Sequence, residues 1–98
     1  MTKIEKKDTA YKSIGEVAMI LKLIDKKSGK LLTHTIRFWE KEFTQIKPKI
    51  FSGKRRYYDK ENIEKLKKIQ FLLKVKGMTI KGVKKLLNNE NSDVEINN

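Results

Sequence analysis

The chain contains three arginines, Arg37, Arg55 and Arg56, and all of them fall within one stretch, Leu32–Tyr58, which reads LTHTIRFWEKEFTQIKPKIFSGKRRYY. A guanidinium presents a planar fork of donors that suits phosphate oxygens and the O6/N7 edge of guanine, which a lysine ammonium does not. Tyr57 and Tyr58 follow Arg55 and Arg56, and His34 and Lys41 flank Arg37. A set of this kind binds polyanions. It offers no bond-breaking chemistry: the carboxylates are scattered among lysines, and no nucleophile–base pair or phosphate loop appears, so no enzyme is expected. Glu40 and Glu42 read as helix-surface ion-pair partners. With one histidine and no cysteine there is no ligand set for zinc, and no cofactor is expected.

The formal net charge is +12, and residues 88–98 carry three acids and no base, so residues 1–87 hold +15. A field of that sign recruits DNA, RNA or an anionic membrane surface. Of the 24 basic residues all but the three arginines are lysine. An AT-rich coding bias produces such a lysine excess with no binding role behind it. The arginines escape that objection, because they are scarce and yet concentrated. The 98 residues suit one small domain of modest stability. The absence of cysteine fits a reducing compartment. The N-terminus, MTKIEKKDTAYK, lacks the apolar core of a secretory signal. No apolar run approaches the roughly 18 residues of a membrane span. The expected location is the cytoplasm, on the nucleoid, with no membrane partner.

The elements that must position the arginines can be read in order. Residues 1–12 are polar and patternless and are expected to be a disordered basic arm. Ser13 and Glu16 form a capping box in front of Ile14, Val17, Ala18 and Leu21, which predicts a first helix of about ten residues. Asp25–Lys30, DKKSGK, is a turn-rich insert, expected to be an exposed loop whose lysines either reach a phosphate backbone or are merely solvated. A second helix follows over about 33–43, with Thr33 as its expected N-cap. At about 100° per residue, Ile36, Trp39 and Phe43 share one face, and His34, Arg37, Phe38 and Lys41 the other. The first face is core. The second has the make-up of a helix inserted in a major groove, although Phe38 would equally pack beneath a hairpin.

Pro48 ends any helix before it. Ile50-Phe51 and Arg56-Tyr57-Tyr58 then flank Ser52-Gly53-Lys54, which predicts a tight hairpin over about 49–58. Alternation sends Arg55 and Tyr57 to one face and Arg56 and Tyr58 to the other, with the choice of inner face left open. Asp59 caps a third helix, Lys60–Lys76, with Ile63, Leu66, Ile69, Leu72 and Leu73 on its broad apolar arc. Phe71 and Val75 lie off that arc as a small second patch. Gly77 stops the helix. Thr79 caps a short fourth helix with Ile80, Val83 and Leu87 inward. Past Leu87 the pattern ends, and residues 88–98 are expected to be a disordered acidic tail. The fold class is mainly α with a small β-hairpin, four helices plus a wing, with the domain proper over residues 13–87.

That order is the order of a winged helix-turn-helix, and four fragments go further. Ser13-Ile14-Gly15-Glu16-Val17-Ala18, His34-Thr35-Ile36-Arg37-Phe38-Trp39-Glu40, Gly53-Lys54-Arg55-Arg56-Tyr57-Tyr58 and Gly77-Met78-Thr79-Ile80 together resemble the DNA-binding domain of the MerR (mercury-resistance regulator-like) transcription regulators over about Lys12 to Leu87. The resemblance implies that the second helix is the recognition helix, with Thr35, Arg37 and Phe38 at the groove and its phosphates. It implies that Arg55 and Tyr57 lie on a wing against the sugar-phosphate backbone, with Arg56 and Tyr58 sharing that role or packing the wing down. The full candidate DNA-binding set is Thr33, His34, Thr35, Arg37, Phe38, Lys41, Lys54, Arg55, Arg56, Tyr57 and Tyr58. Three departures stand out. Asp25–Lys30 lengthens the link between the first two helices. Phe38-Trp39 replaces a common Tyr-Tyr, which removes a hydroxyl. Nothing after Leu87 resembles the family's long dimerising helix and effector domain, so no metal or drug sensing is expected.

The leading expectation is therefore a sequence-specific regulator of transcription that binds duplex DNA at a promoter or operator half-site, with a homodimer or partner surface at Phe71 and Val75. A phage-type or recombination accessory protein that bends DNA keeps the same fold, and mapping the bound site separates the two. An RNA- or ribosome-associated protein, with Tyr57 and Tyr58 stacking on bases, is the reading from another class. Competition by single-stranded RNA tests it.

Overall fold

A computed structural model describes residues 11–97, with the side chains of Ser52 and of residues 90–97 excepted. The expected arm therefore lies outside the described residues as far as Ala10. The chain divides into two compact units, up to Lys67 and from Lys68 onward.

In the first unit, β1 (Lys12–Ser13) leads into α1 (Ile14–Ile20), then α2 (Thr33–Glu42), β2 (Lys49–Phe51), β3 (Arg55–Tyr58) and the start of α3 (Lys60–Gln70). The three strands form an antiparallel sheet in the order β1-β3-β2. Lys12 is thus not part of an arm. It pairs with Tyr58, and Ser13 with Tyr57. A two-residue strand has no periodicity to read, so only its pairing reveals it.

The capping box forms as its residues dictate: the Glu16 N–H donates to Ser13 Oγ at 3.2 Å and the Ser13 N–H to Glu16 Oε1 at 2.8 Å. The Ser13 N–H bond favours the ionised carboxylate and holds Glu16 below its ordinary pKa. α1 is shorter than expected, seven residues, and Leu21 serves as its C-cap. α2 starts at Thr33 itself. Its N-cap is Leu32, and no side chain caps it, which corrects the assignment of Thr33. Val17, Ala18, Leu21, Leu23, Ile36, Trp39, Phe43, Ile46, Tyr58, Ile63 and Leu66 are buried and make the core of this unit.

Between α2 and the wing the chain is clamped at Lys47. The Lys47 N–H donates to Asn62 Oδ1 at 2.9 Å, and Asn62 Nδ2 donates to the Lys47 carbonyl at 3.0 Å. Asn62, itself buried, also completes the cap of α3 by donating its N–H to Asp59 Oδ1 at 2.8 Å. Asn62→Ala removes both side-chain bonds and is expected to lower stability by about 1–3 kcal/mol. A fall in the urea midpoint at constant m-value reads that loss.

In the second unit, α3 passes at Phe71–Val75 into a π-helical turn, with the Lys76 N–H donating to the Phe71 carbonyl at 3.1 Å. The sequence predicts an unbroken α-helix there. Gly77 takes φ 68°, and the Met78 N–H donates to the Leu72 carbonyl, so the expected stop forms. α4 (Ile80–Asn97) packs on the π turn. Thr79 Oγ1 accepts the Gly82 N–H at 3.0 Å, and Val83 and Leu87 are buried. The backbone stays helical to Asn97, ten residues past the expected end of the pattern.

Candidate nucleic-acid interface

α2 divides as its spacing requires. Ile36, Trp39 and Phe43 are buried, whereas His34, Arg37, Phe38 and Lys41 are exposed and Thr33 and Thr35 half-buried. Phe38 keeps 47% of its surface open, so the exposed face carries one aromatic among its cations.

The wing settles which of its faces is inner. β2 and β3 pair Lys49 with Tyr57, Ile50 with Arg56, and Phe51 with Arg55. Gly53 at φ 81° and Lys54 at φ 59° close the turn between them. Tyr58 has no exposed surface, and its hydroxyl donates to Glu40 Oε1 at 3.3 Å. Arg56 Nε donates to both oxygens of Glu40, at 3.0 and 3.2 Å. Arg37 Nε lies 3.9 Å from the same carboxylate. Burial, and then the negative charge of Glu40, raise the Tyr58 pKa well above its ordinary value, so the hydroxyl stays protonated and keeps donating. Arg56 and Tyr58 therefore fix the wing to α2. Tyr58 leaves the candidate contact set, since a ring with no exposed surface neither reaches a phosphate nor stacks on a base.

Arg55 and Tyr57 take the outer face. Tyr57 packs against Phe51 at 5.1 Å between ring centroids, and Phe51 meets Tyr11 edge to face at 6.1 Å. Between α1, α2 and the wing lies a concavity of about 400 Å³, to which Arg37, Lys54, Arg55, Arg56 and Tyr57 all contribute. A neighbouring concavity of about 490 Å³ follows the exposed face of α2, from His34 through Arg37 and Phe38 to Lys41, with Glu40 and Arg56 on its wall. Arg37 and Arg56 line both. All three arginines thus converge at the junction of the helix and the wing.

The family model described as MerR HTH family regulatory protein matches residues 12–90. The chain belongs to the MerR family. No match is found among curated proteins or among solved structures. Membership makes this a DNA-binding protein of transcription regulation, and the four helices with a small three-stranded sheet are a MerR-like winged helix-turn-helix. The MerR match begins at Lys12, where the sheet begins.

Two residues of the MerR domain's site escaped the sequence reading. Glu40 is an ion-pair partner as expected, but not at the surface: its side chain is only 14% exposed and it receives Arg56 and Tyr58. Asn62 fixes the approach to the wing. The contacts that tie them to the wing have no local signal, because Asn62 finds Lys47, and Glu40 finds Arg56 and Tyr58, 15 or more residues away. Among the described residues no group of three or more His, Cys, Asp or Glu side chains is placed to hold a metal ion, and no helix is long and apolar enough to cross a membrane.

Proposed function

We propose that this MerR domain binds duplex DNA sequence-specifically, with α2 in the major groove and the wing on the adjoining backbone. The observation that carries the reading is the convergence of Arg37, Lys54, Arg55 and Arg56 on one open concavity between α2 and the wing. Thr35, Arg37 and Phe38 read the groove, with Thr33, His34 and Lys41 at its margins. Lys54, Arg55 and Tyr57 hold the backbone, and Arg56 serves from behind by holding the wing in place. Such contacts divide the work: phosphates supply affinity and register, and base edges supply specificity. The protein acts in the cytoplasm, on chromosomal promoters or operators.

A salt titration of duplex binding tests this. About five phosphate contacts from helix and wing contribute roughly −4 to −5 to the slope of log K against log salt. A slope shallower than about −2 overturns the reading, since two contacts account for it.

One domain grips one half-site, and pairing two of them raises affinity through effective concentration. Phe71 and Val75, 46% and 69% exposed on the π turn, form the surface proposed for a second copy. Phe71→Ser and Val75→Asp are expected to lower the sedimentation coefficient at concentrations where the parent pairs. Unchanged sedimentation removes this surface from consideration.

A further inference from the structure

We propose that residues 22–32, inserted between α1 and α2, form a second wing that holds the sugar-phosphate backbone of duplex DNA beside the groove entered by α2. The proposal rests on α2 being the groove helix. The sequence predicts an exposed loop over Asp25–Lys30; residues 26–30 are exposed, and they are the tip of a short antiparallel hairpin. Ile24 bridges to Leu31. The Asp25 N–H donates to the Lys30 carbonyl at 2.9 Å and the Leu32 N–H to the Leu23 carbonyl at 2.8 Å.

The tip is closed from within. Asp25 Oδ2 accepts the Ser28 N–H at 3.0 Å and the Ser28 hydroxyl at 2.6 Å, which also holds the Asp25 carboxyl below its ordinary pKa. The Gly29 N–H donates to the Asp25 carbonyl at 2.7 Å, with Gly29 at φ 76°. The base is anchored as well. Leu23 is buried and donates its N–H to the Ala18 carbonyl at 2.8 Å, and Leu31 lies against Gly15. A loop whose lysines merely keep it hydrated gains nothing from this order. A rigid projection gains a fixed place for each charge.

The charges are of one sign. Lys22, Lys26, Lys27 and Lys30 are exposed, and none of them is in an ion pair among the described residues. The hairpin's one carboxylate, Asp25, is engaged by Ser28. Position supplies the ligand. Leu32 is both the last hairpin residue and the N-cap of α2. A helix-turn-helix reads bases with the N-terminal residues of its second helix while the first helix crosses the backbone, so a projection between the two helices stands beside that backbone. With about 3.3 Å per strand residue, the hairpin reaches up to roughly 10 Å beyond its base at that end of α2. The strand bordering the groove is the polyanion within its reach.

The test uses the full chain and two 30-base-pair duplexes, one carrying the best site selected from a random pool and one of scrambled sequence. The variant replaces Lys26, Lys27 and Lys30 with glutamine together. Exposed substitutions of this kind leave folding nearly unchanged, and an unaltered thermal unfolding curve verifies that. With three further phosphate contacts the parent slope is expected near −7, and the variant's near −4 to −5. Affinity falls about 10- to 100-fold at low salt on both duplexes alike, and the ratio between them is kept. Ethylation interference is expected to lose a block of phosphates at the edge of the α2 site and no others. A variant with the parent's slope and affinity overturns the second wing. If Arg37→Ala still weakens the selected duplex in that case, the groove reading survives alone. If Arg37→Ala, Arg55→Ala and the triple variant all bind like the parent, the groove reading has failed, and the second wing with it.

Discussion

Arg37→Ala is expected to weaken binding to the preferred duplex by about 5- to 150-fold, which corresponds to about 1–3 kcal/mol, and to flatten the preference for that duplex over a scrambled one. Arg55→Ala is expected to weaken every duplex by a similar factor and to make the salt slope shallower by about 1, with preference retained. The contrast follows from where the two guanidiniums sit. Arg37 stands on the exposed face of α2, its side chain 54% open, with its nearest carboxylate at the long distance of 3.9 Å. A fork held that loosely is available to a base edge or an adjacent phosphate. Arg55 stands on the outer face of the wing, beside the turn and paired across the hairpin with Phe51. From there it reaches backbone. Thr35→Ala shares the Arg37 pattern at smaller amplitude, because a hydroxyl makes fewer bonds than a guanidinium. Fluorescence anisotropy on the two duplexes at three salt concentrations resolves both effects. Parent-like binding by Arg37→Ala and Arg55→Ala together removes the site assigned here.

What the sequence made legible is local. Ser13 with Glu16, Asp59 with the Asn62 N–H, and Thr79 with the Gly82 N–H are capping arrangements whose partners lie three residues apart, and all three form. The two faces of α2 follow from its period, and the wing from the apolar and aromatic runs on either side of Ser52-Gly53-Lys54. What stayed hidden depends on tertiary placement. Alternation separates Tyr57 from Tyr58, but which of them is buried depends on which face of the sheet meets α2. Charge pattern alone cannot distinguish Glu40, which meets β3, from an acid that meets water. The hairpin that closes the Asp25–Lys30 loop has no signal in the sequence, because two lone bridging residues, Ile24 and Leu31, give no alternation to recognise. The continuation of α4 past Leu87 has no apolar period to announce it.

Glu40→Gln is expected to separate two quantities that usually move together, losing stability and sequence preference while keeping low-salt affinity. The carboxylate accepts from Arg56 and Tyr58 at once and stands at the back of a strongly cationic site. The amide has one acceptor oxygen where the carboxylate has two, and its own N–H₂ cannot pair with the Arg56 guanidinium, which has only hydrogens to offer; the Tyr58 hydroxyl can turn to accept from it. Charge-assisted bonds become neutral ones, and Arg56, with a side chain only 28% exposed, loses its counter-charge. Removing one partner from a fully buried pair costs about 3–5 kcal/mol, so this partly open one should cost about 1–3 kcal/mol in a urea unfolding experiment. On DNA the effects oppose. The site gains one unit of positive charge, which favours any duplex within about 10 Å at 0.1 M salt. Against that, the wing loses the anchor that sets its angle to α2. Charge wins for scrambled DNA, where no particular geometry is required, so affinity there holds or rises. Geometry wins for the preferred site, and the ratio of the two affinities should fall about 5-fold or more, since that requires only about 1 kcal/mol of misplacement. A variant that keeps both the parent's stability and its preference shows that the Glu40 charge does not set the wing's angle, which then rests on Tyr58 burial, the pairing of β3 with β1 and the Asn62 clamp.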